Sequence, residues 1–228
     1  MKAVILAAGM GTRLGTLIPK PLTSLIDERT IMDIQIANIA ELIGINNIFA
    51  VVGYKKELIM EKFPEITFVY NPAYTHTNTA KSLLTALNKI DDDVVWINGD
   101  VFFEIEALRK LLTSDQSAIL VDTKKCGDEE IKYTLDKSDN ITELSKQVKN
   151  GVGEAVGMNL VKQKDIEGFR QALGEVSNQD YFEKAIENLI ASGGAVFKPV
   201  QLNDVYCQEI DFPDELELAR RKAVELGI

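Results

Sequence analysis

Small residues and glycines follow the first apolar run of the chain, and two cations come soon after them. Gly9 and Gly11 permit backbone angles that other residues adopt only with strain, so the main chain can approach a ligand closely. Successive N–H groups in such a turn form an anion-binding surface, to which Arg13 and Lys20 add fixed positive charge. A lone Gly-x-Gly step would more often be an ordinary strand-to-helix turn with surface cations. The full string favours phosphate binding, and it runs Leu6, Ala7, Ala8, Gly9, Met10, Gly11, Thr12, Arg13 and Leu14, then Pro19, Lys20 and Pro21.

Two aspartates, Asp100 and Asp211, each follow an apolar run and precede a helical pattern. Open α/β sheets bind ligands beyond the carboxyl ends of their strands, which is where both side chains are expected. Carboxylates at such a position suit Mg²⁺, which also takes phosphate oxygens and water. Either aspartate alone fits the N-cap of the following helix equally well.

Apolar runs and helical patterns alternate through the first half of the chain. Strands are predicted at 3–7, 47–52, 67–70, 93–97 and 117–121. Their near-continuous apolar character indicates a parallel sheet covered by helices on both faces. Shorter, partly alternating runs at about 122–155 indicate a small β-rich lobe. We therefore expect one α/β domain over residues 1–228, with a mostly parallel sheet flanked by helices.

The bulk composition limits the possible partners of the chain. Its 228 residues carry a formal net charge of -10, which disfavours general binding to nucleic acid or anionic membranes. Cys126 and Cys207 form no metal-ligand spacing, and the absence of a disulfide framework fits a reducing cytoplasm. No run of residues reaches the roughly 20 apolar positions of a membrane span. A homo-oligomer is possible, although composition does not decide it.

The string from Leu6 to Leu14, with the Pro-Lys-Pro step after it, resembles the signature of nucleotidyltransferases of the sugar-phosphate pyrophosphorylase type. That resemblance implies a Rossmann-like fold whose loop wraps a nucleoside triphosphate. It implies that Arg13 and Lys20 bind and polarise the phosphates. It also implies that Asp100 and Asp211 hold Mg²⁺, and that the turn lines the nucleotide through Leu6, Ala7, Ala8, Gly9, Gly11 and Thr12.

Weaker matches to the same family extend along the rest of the chain. The segment from Asn78 to Leu83 resembles the part of the family that reads the base, so Thr79 and Ser82 are candidate base contacts, with helix capping as the alternative. The acceptor side is matched by Lys146, for the acceptor phosphate, and by Tyr181. Glu154 and Glu209 are candidate partners for an amine or for sugar hydroxyls. Lys146 fits a solvated surface lysine nearly as well.

The short chain and its motifs look closest to choline-phosphate and related alkyl-phosphate cytidylyltransferases. The resemblance implies Mg²⁺-dependent transfer of a nucleotidyl group from CTP to a small phosphorylated acceptor such as phosphocholine, with release of pyrophosphate. A sugar-1-phosphate nucleotidyltransferase is the nearest alternative. A non-catalytic nucleotide-binding module is the more distant one, and it would not need Arg13, Lys20 and both aspartates together.

Overall fold

A computed structural model describes residues 1–11, 18–124, 126–127 and 130–228. The helices are α1 (Ile31–Ile43), α2 (Lys56–Lys62), α3 (Thr79–Leu87), α4 (Ile105–Leu112), α5 (Gln163–Glu175), α6 (Phe182–Ala191) and α7 (Pro213–Glu225). The strands of the main sheet are β1 (Lys2–Ala7), β4 (Ile48–Val52), β5 (Thr67–Tyr70), β6 (Val94–Asn98), β8 (Ser117–Asp122), β9 (Lys132–Leu135), β10 (Ile141–Ser145), β11 (Gly153–Val161) and β12 (Phe197–Gln201). Two short ribbons are formed by β2 (Ser24–Ile26) with β3 (Arg29–Thr30) and by β7 (Val101–Phe103) with β13 (Cys207–Glu209).

Within the described residues the main sheet has nine strands, of which β6, β1, β4 and β5 are parallel neighbours. β11 runs antiparallel to β6, β8 and β9, and β12 pairs in parallel with β8. The large sheet with helices packed against it confirms the predicted α/β class. The predicted lobe at 122–155 contains β9 and β10, which extend this sheet at one edge in antiparallel order.

The sheet separates two apolar layers because successive side chains of a strand point to opposite faces. In β1, Val4 and Leu6 join the layer formed with α3, α5 and α6. Ala3 and Ile5 join the opposite layer, which contains side chains of α1, α2 and α4. Burial on both faces explains why β1 is a continuous apolar run rather than an alternating one.

Helix α1 shows how local sequence sets the element boundaries. Thr30 Oγ1 accepts a hydrogen bond from Asp33 N, and the Asp33 carboxylate accepts one from Thr30 N at 2.7 Å, which is a capping box. The helix ends at Gly44, whose φ of 85° suits glycine, as the sequence predicts. No helix among the described residues is long and apolar enough to cross a membrane.

Candidate active site

A cavity of about 800 Å³ lies at the carboxyl ends of β1 and β6, where an open α/β sheet is expected to bind a ligand. The glycine-bearing turn after β1, the start of α3, the end of β6 and the residues around β13 all contribute to its lining. Its volume is within the usual range for a small-molecule site.

Lys20 joins the two predicted metal ligands at the centre of this cavity. Its Nζ donates to Asp100 Oδ2 at 2.6 Å and to Asp211 Oδ1 at 2.5 Å, and the residue is only 8% exposed. Burial alone would lower the pKa of Lys20, but the two carboxylates outweigh it and raise the pKa above the ordinary value. Lys20 is therefore a fixed ammonium cation that holds together aspartates 111 positions apart in the chain.

The ribbon of β7 and β13 brings the two aspartates together. Glu209 pairs with Val101, and Ile210 N donates to Asp100 O at 3.0 Å, so Asp100 and Asp211 flank this antiparallel pairing. Neither aspartate is at an N-cap position, because the N-cap residue of α4 is Glu104 and that of α7 is Phe212. Glu215 Oε2 accepts from Asp211 N at 2.6 Å and from Phe212 N at 2.9 Å. Both aspartate side chains contact Lys20 in the cavity lining.

Two glycines allow the turn after β1 to pack closely against Lys20. Gly11 has a φ of +58°, and a Cβ added there would lie 2.7 Å from Lys20 Cβ. A Cβ on Gly99 would lie 2.7 Å from Leu6 O and 2.8 Å from Pro21 Cγ. A side chain at either position would push apart the turn, the lysine and the end of β6. Glycine at these positions therefore allows the close packing of the three.

The carboxylates fit a Mg²⁺ ion that also contacts phosphate oxygens. Asp100 Oδ1 is buried and has no hydrogen-bond partner within the described part of the chain. Asp100 Oδ2 and Asp211 Oδ1 both contact Lys20 Nζ and so lie within about 5 Å of each other, which makes these two carboxylates the residues that would hold the ion. The residues described here contain no group of three or more His, Cys, Asp or Glu that could hold a metal. The remaining ligands would therefore come from phosphate and water, as is usual for Mg²⁺.

The other predicted nucleotide contacts divide into three sets. Leu6, Ala7, Gly9, Gly11 and Thr79 line the cavity. Ala8 and Ser82 are buried away from that lining, and Ser82 Oγ accepts from Asn71 Nδ2 at 3.0 Å. The predicted contacts at positions 12 and 13, Thr12 and Arg13, lie outside the described residues.

All four predicted acceptor residues, Lys146, Glu154, Tyr181 and Glu209, line the cavity. Lys146 Nζ lies 5.8 Å from the ring centroid of Tyr181. Glu154 Oε1 forms an ion pair with Lys124 Nζ at 2.7 Å, and Glu209 Oε1 accepts from Asn98 Nδ2 at 2.8 Å. The part of the cavity lined by these four residues is therefore rich in charged groups.

The start of α3 is hydrogen-bonded to the segment that leads into α6. Asn78, and not Thr79 or Ser82, caps α3, and its backbone N donates to Asn178 O at 2.8 Å. Thr79 Oγ1 accepts from Phe182 N at 3.2 Å. The predicted base-reading and acceptor segments thus contact each other directly.

The model of the MobA-like NTP transferase domain matches residues 3–184, which is most of the chain. The chain belongs to this family. This membership confirms the predicted nucleotidyltransferase class, and the glycine-bearing turn, Lys20 and Asp100 all lie within the matched residues.

Curated relatives and a solved structure add to this assignment. The CMP-5'-(3-aminopropyl)phosphonate synthase of Streptomyces rubellomurinus is 26% identical over 94% of this chain and 37% of its own length. The 2-aminoethylphosphonate cytidylyltransferase of Lancefieldella rimae is 34% identical over 42% of this chain and 40% of its own length. The transferase spans less than half the length of both relatives. The structure of CTP:phosphocholine cytidylyltransferase from Streptococcus pneumoniae superposes with a TM-score of 0.78 and covers 100% of this chain and 99% of its own, and at 20% identity this likeness shows the fold alone.

The sequence places Glu183 in a Tyr181-Phe182-Glu183 step that resembles a segment near the acceptor pocket of cytidylyltransferases, and the fold places this carboxylate in the cavity. Glu183, in the first turn of α6, lines the cavity but is only 8% exposed. Burial raises its pKa to about 7, while its own backbone N–H and Lys146 oppose the shift. Burial also raises the pKa of Glu209 to about 8, with Asp100, Glu183 and Asp211 adding like-charge repulsion. Acidic residues are common in the first turn of a helix because they interact favourably with its positive end. The sequence therefore offered little signal for Glu183 beyond its position after Tyr181 and Phe182.

Proposed function

We propose that this chain carries out Mg²⁺-dependent transfer of the CMP group of CTP to a small phosphorylated or phosphonylated acceptor, with release of pyrophosphate. The observation that carries the proposal is the contact of Lys20 with both Asp100 and Asp211 beside the glycine-bearing turn. A lysine and two carboxylates that would hold Mg²⁺, at the carboxyl edge of a parallel sheet, together suit a nucleoside triphosphate. Family membership supports the reaction class, and the names of the two curated relatives support cytidine and a phosphonate acceptor.

The reaction requires an in-line attack by an oxygen of the acceptor's phosphoryl group on the α-phosphorus of the nucleotide. The new P–O bond forms as the bond between the α-phosphorus and the bridging oxygen of pyrophosphate breaks. The attacking oxygen is already anionic, so the acceptor needs no strong general base. Catalysis then depends on positioning and on stabilising charge, which fixed cations in a cavity provide.

Lys20 has two tasks in this proposal. Its ammonium group keeps Asp100 and Asp211 together before substrates bind. When phosphates enter the cavity, the same group can stabilise the charge that moves to pyrophosphate. Bound Mg²⁺, held by the two aspartates, would supply further neutralisation of phosphate charge. The backbone N–H groups of the turn around Gly9 are suited to bind phosphate oxygens, because the space next to Gly9 is open.

The proposal is tested by measuring pyrophosphate release with each of CTP, UTP, GTP and ATP against a panel of acceptors. The panel contains 2-aminoethylphosphonate, 3-aminopropylphosphonate, phosphocholine and glucose 1-phosphate. We expect release with CTP and an alkyl phosphonate or phosphate. Release only with glucose 1-phosphate would favour the sugar-phosphate alternative, and release with no pair would favour a nucleotide-binding module.

A further inference from the structure

Helix α1 carries one polar side chain, that of Gln35, on its buried face. Gln35 is 0% exposed. The other buried residues of this helix are apolar: Ile31, Met32, Ile34, Ile36 and Ile39. Burying a carboxamide among such residues costs free energy unless its polar atoms are hydrogen-bonded. The role of Gln35 is therefore given by the groups that its side chain contacts.

The carboxamide of Gln35 binds both ends of the turn that carries Asp100. Its Nε2 donates to Asn98 O at 2.9 Å and to Val101 O at 2.7 Å, so both amide hydrogens are used. Gly99 and Asp100 lie between these two acceptors in the chain. Only the NH₂ end of a carboxamide can face two carbonyl oxygens, which determines the orientation of the side chain.

The oxygen of the same carboxamide contributes nothing to this contact. Gln35 Oε1 is buried and has no hydrogen-bond partner within the described residues. An unpaired buried oxygen opposes folding, and it offsets part of the stability that the two hydrogen bonds contribute. The arrangement therefore serves the geometry of the turn more than the stability of the core.

The other backbone groups of the turn are bound by two further elements. Gly99 N donates to Leu6 O at 3.0 Å, which joins the turn to β1. Ile210 N donates to Asp100 O at 3.0 Å, which joins it to the residue that follows β13. With Gln35 of α1, three separate elements hold the backbone from which the Asp100 carboxylate extends.

We propose that Gln35 is a positioning residue of the transferase, which orients the Asp100 carboxylate for Mg²⁺ by fixing the carbonyl groups on either side of the Gly99–Asp100 step. The inference rests on the proposed function, because that function assigns Asp100 to the metal. Gln35 lies outside the cavity lining, so it acts through the turn and not on a substrate. Replacing a residue that orients a metal ligand typically lowers metal affinity by about 10- to 100-fold.

The first experiment compares two substitutions in α1 that each remove hydrogen bonds to β7. Gln35→Met keeps an unbranched side chain of similar length and removes both bonds to the turn. The matched control is Asn38→Leu, one helical turn further along, where Asn38 Nδ2 donates to Phe103 O at 3.0 Å at the far end of β7. The quantity measured is the Mg²⁺ concentration that gives half-maximal pyrophosphate release.

We expect this concentration to rise by about tenfold or more in Gln35→Met, with kcat at saturating Mg²⁺ within about threefold of wild type, and to change by less than about twofold in Asn38→Leu. An unchanged Mg²⁺ requirement in Gln35→Met, or equal rises in both variants, would overturn the inference. Should Gln35→Met not fold, Gln35→Asn takes its place. That variant keeps the carboxamide but is one methylene shorter, so it cannot reach both carbonyl groups, and the same rise is expected.

The second experiment needs neither turnover nor a metal ion. Backbone amide hydrogen exchange of the metal-free chain is measured at Gly99 and Ile210, whose N–H groups join the turn to its neighbours. Local opening of the turn should make both exchange about tenfold faster or more in Gln35→Met and leave both unchanged in Asn38→Leu. Wild-type exchange rates in Gln35→Met would show that the turn keeps its geometry without the carboxamide, against the proposed role.

Failure of the reaction and failure of the inference can be told apart. If no nucleotide and acceptor pair releases pyrophosphate, the proposed function is wrong. Binding of Mn²⁺, used as the probe for the metal, is then compared between wild type and Gln35→Met by electron paramagnetic resonance with CTP present. An affinity about tenfold lower in the variant would support the positioning role, and equal affinities would exclude it.

Discussion

At the scale of single residues, one buried lysine of the cavity places its positive charge between two carboxylates. Lys20 contacts Asp100 and Asp211 at ion-pair distance although it is largely buried. Removing one partner of a buried ion pair destabilises the folded chain by more than forming the pair stabilises it, because the remaining charge stays buried without a partner. The aspartates and the lysine therefore form a unit whose members depend on one another.

Replacing Lys20 tests this unit. We expect Lys20→Ala to lower the rate of pyrophosphate release by roughly 10²–10³-fold, since a positioned charge is removed from the transition state. Circular dichroism should show a folded chain. The control is Lys56→Ala, because Lys56 forms a surface ion pair with Glu57 and lies outside the cavity. Near-normal turnover in Lys20→Ala would contradict the assigned role.

Glu183 predicts a measurable dependence of stability on pH. Its pKa is raised by burial from 4.5 to about 7, with Lys146 and Glu209 as the neighbouring charged groups. The folded chain therefore keeps this proton up to about pH 7, whereas the unfolded chain loses it near pH 4.5. The free energy of unfolding falls as pH rises through this window and stays lower above it.

The variant Glu183→Gln removes this pH-dependent contribution to the free energy of unfolding. Compared with wild type, its free energy of unfolding should be similar at pH 4 and higher by about 3 kcal/mol at pH 8. Urea unfolding of both proteins across this pH range measures the difference. A constant difference between the two proteins from pH 4 to pH 8 would show that Glu183 ionises as it does in water.

At the scale of elements, the close approach of the turn after β1 to Lys20 depends on glycine. Gly11→Ala would place a Cβ 2.7 Å from Lys20 Cβ and force a φ of +58° on a residue that disfavours it by roughly 1–2 kcal/mol. We expect lower stability together with lower activity, because the displaced atoms belong to Lys20. Thermal unfolding and turnover are both measured.

Gly174→Ala is the matched control for this substitution. Gly174 lies within α5, has open space around the added Cβ and does not need a positive φ. Alanine there should raise the free energy of unfolding by roughly 0.5–1 kcal/mol through helix propensity, with unchanged activity. Gly11→Ala behaving like Gly174→Ala would show that the turn tolerates a side chain.

Sequence patterns predicted the long strands but not the pairing of the two short strands that completes the site. The apolar run of β1 is a local signal, and this strand lies where it was predicted. β7 and β13 have three residues each and lie about a hundred positions apart, so no local period indicates that they pair. Only that pairing explains why Asp100 and Asp211 are neighbours and not helix caps.

Some residues of the candidate site were predicted from the sequence and others were not, for the same reason. Lys20 and the two aspartates were found because a family motif marks them. Glu183 belongs to a Tyr-Phe-Glu step that also resembles the family, but its burial depends on how α6 packs against β10, α3 and α5, and no local pattern indicates it. Ser82 was predicted as a base contact, whereas its hydroxyl is hydrogen-bonded to Asn71 in the interior. The predicted cytoplasmic location and homo-oligomer remain predictions.

At the scale of the whole molecule, an acidic chain binds a polyanionic nucleotide only where cations are concentrated. The formal net charge is -10, so local cations and Mg²⁺ must offset phosphate repulsion within the cavity. Chelation with EDTA is therefore expected to abolish pyrophosphate release, with recovery on adding excess Mg²⁺. The unfolding temperature should change little, because Lys20 already pairs with Asp100 and Asp211. Turnover that persists in EDTA, or unfolding on chelation, would contradict this account.

The hydrogen bonds between the start of α3 and the segment before α6 have an energetic consequence for the whole cycle. Thr79 Oγ1 accepts from Phe182 N, and Phe182 is the residue before Glu183. A ligand that shifted Thr79 would therefore also shift the first turn of α6. Equilibrium linkage is reciprocal, so any factor by which the nucleotide changes acceptor affinity must equal the factor by which the acceptor changes nucleotide affinity. We therefore expect contact of the nucleotide with Thr79 to be coupled to binding at the start of α6, through this hydrogen bond and the two that Asn78 makes with the same segment.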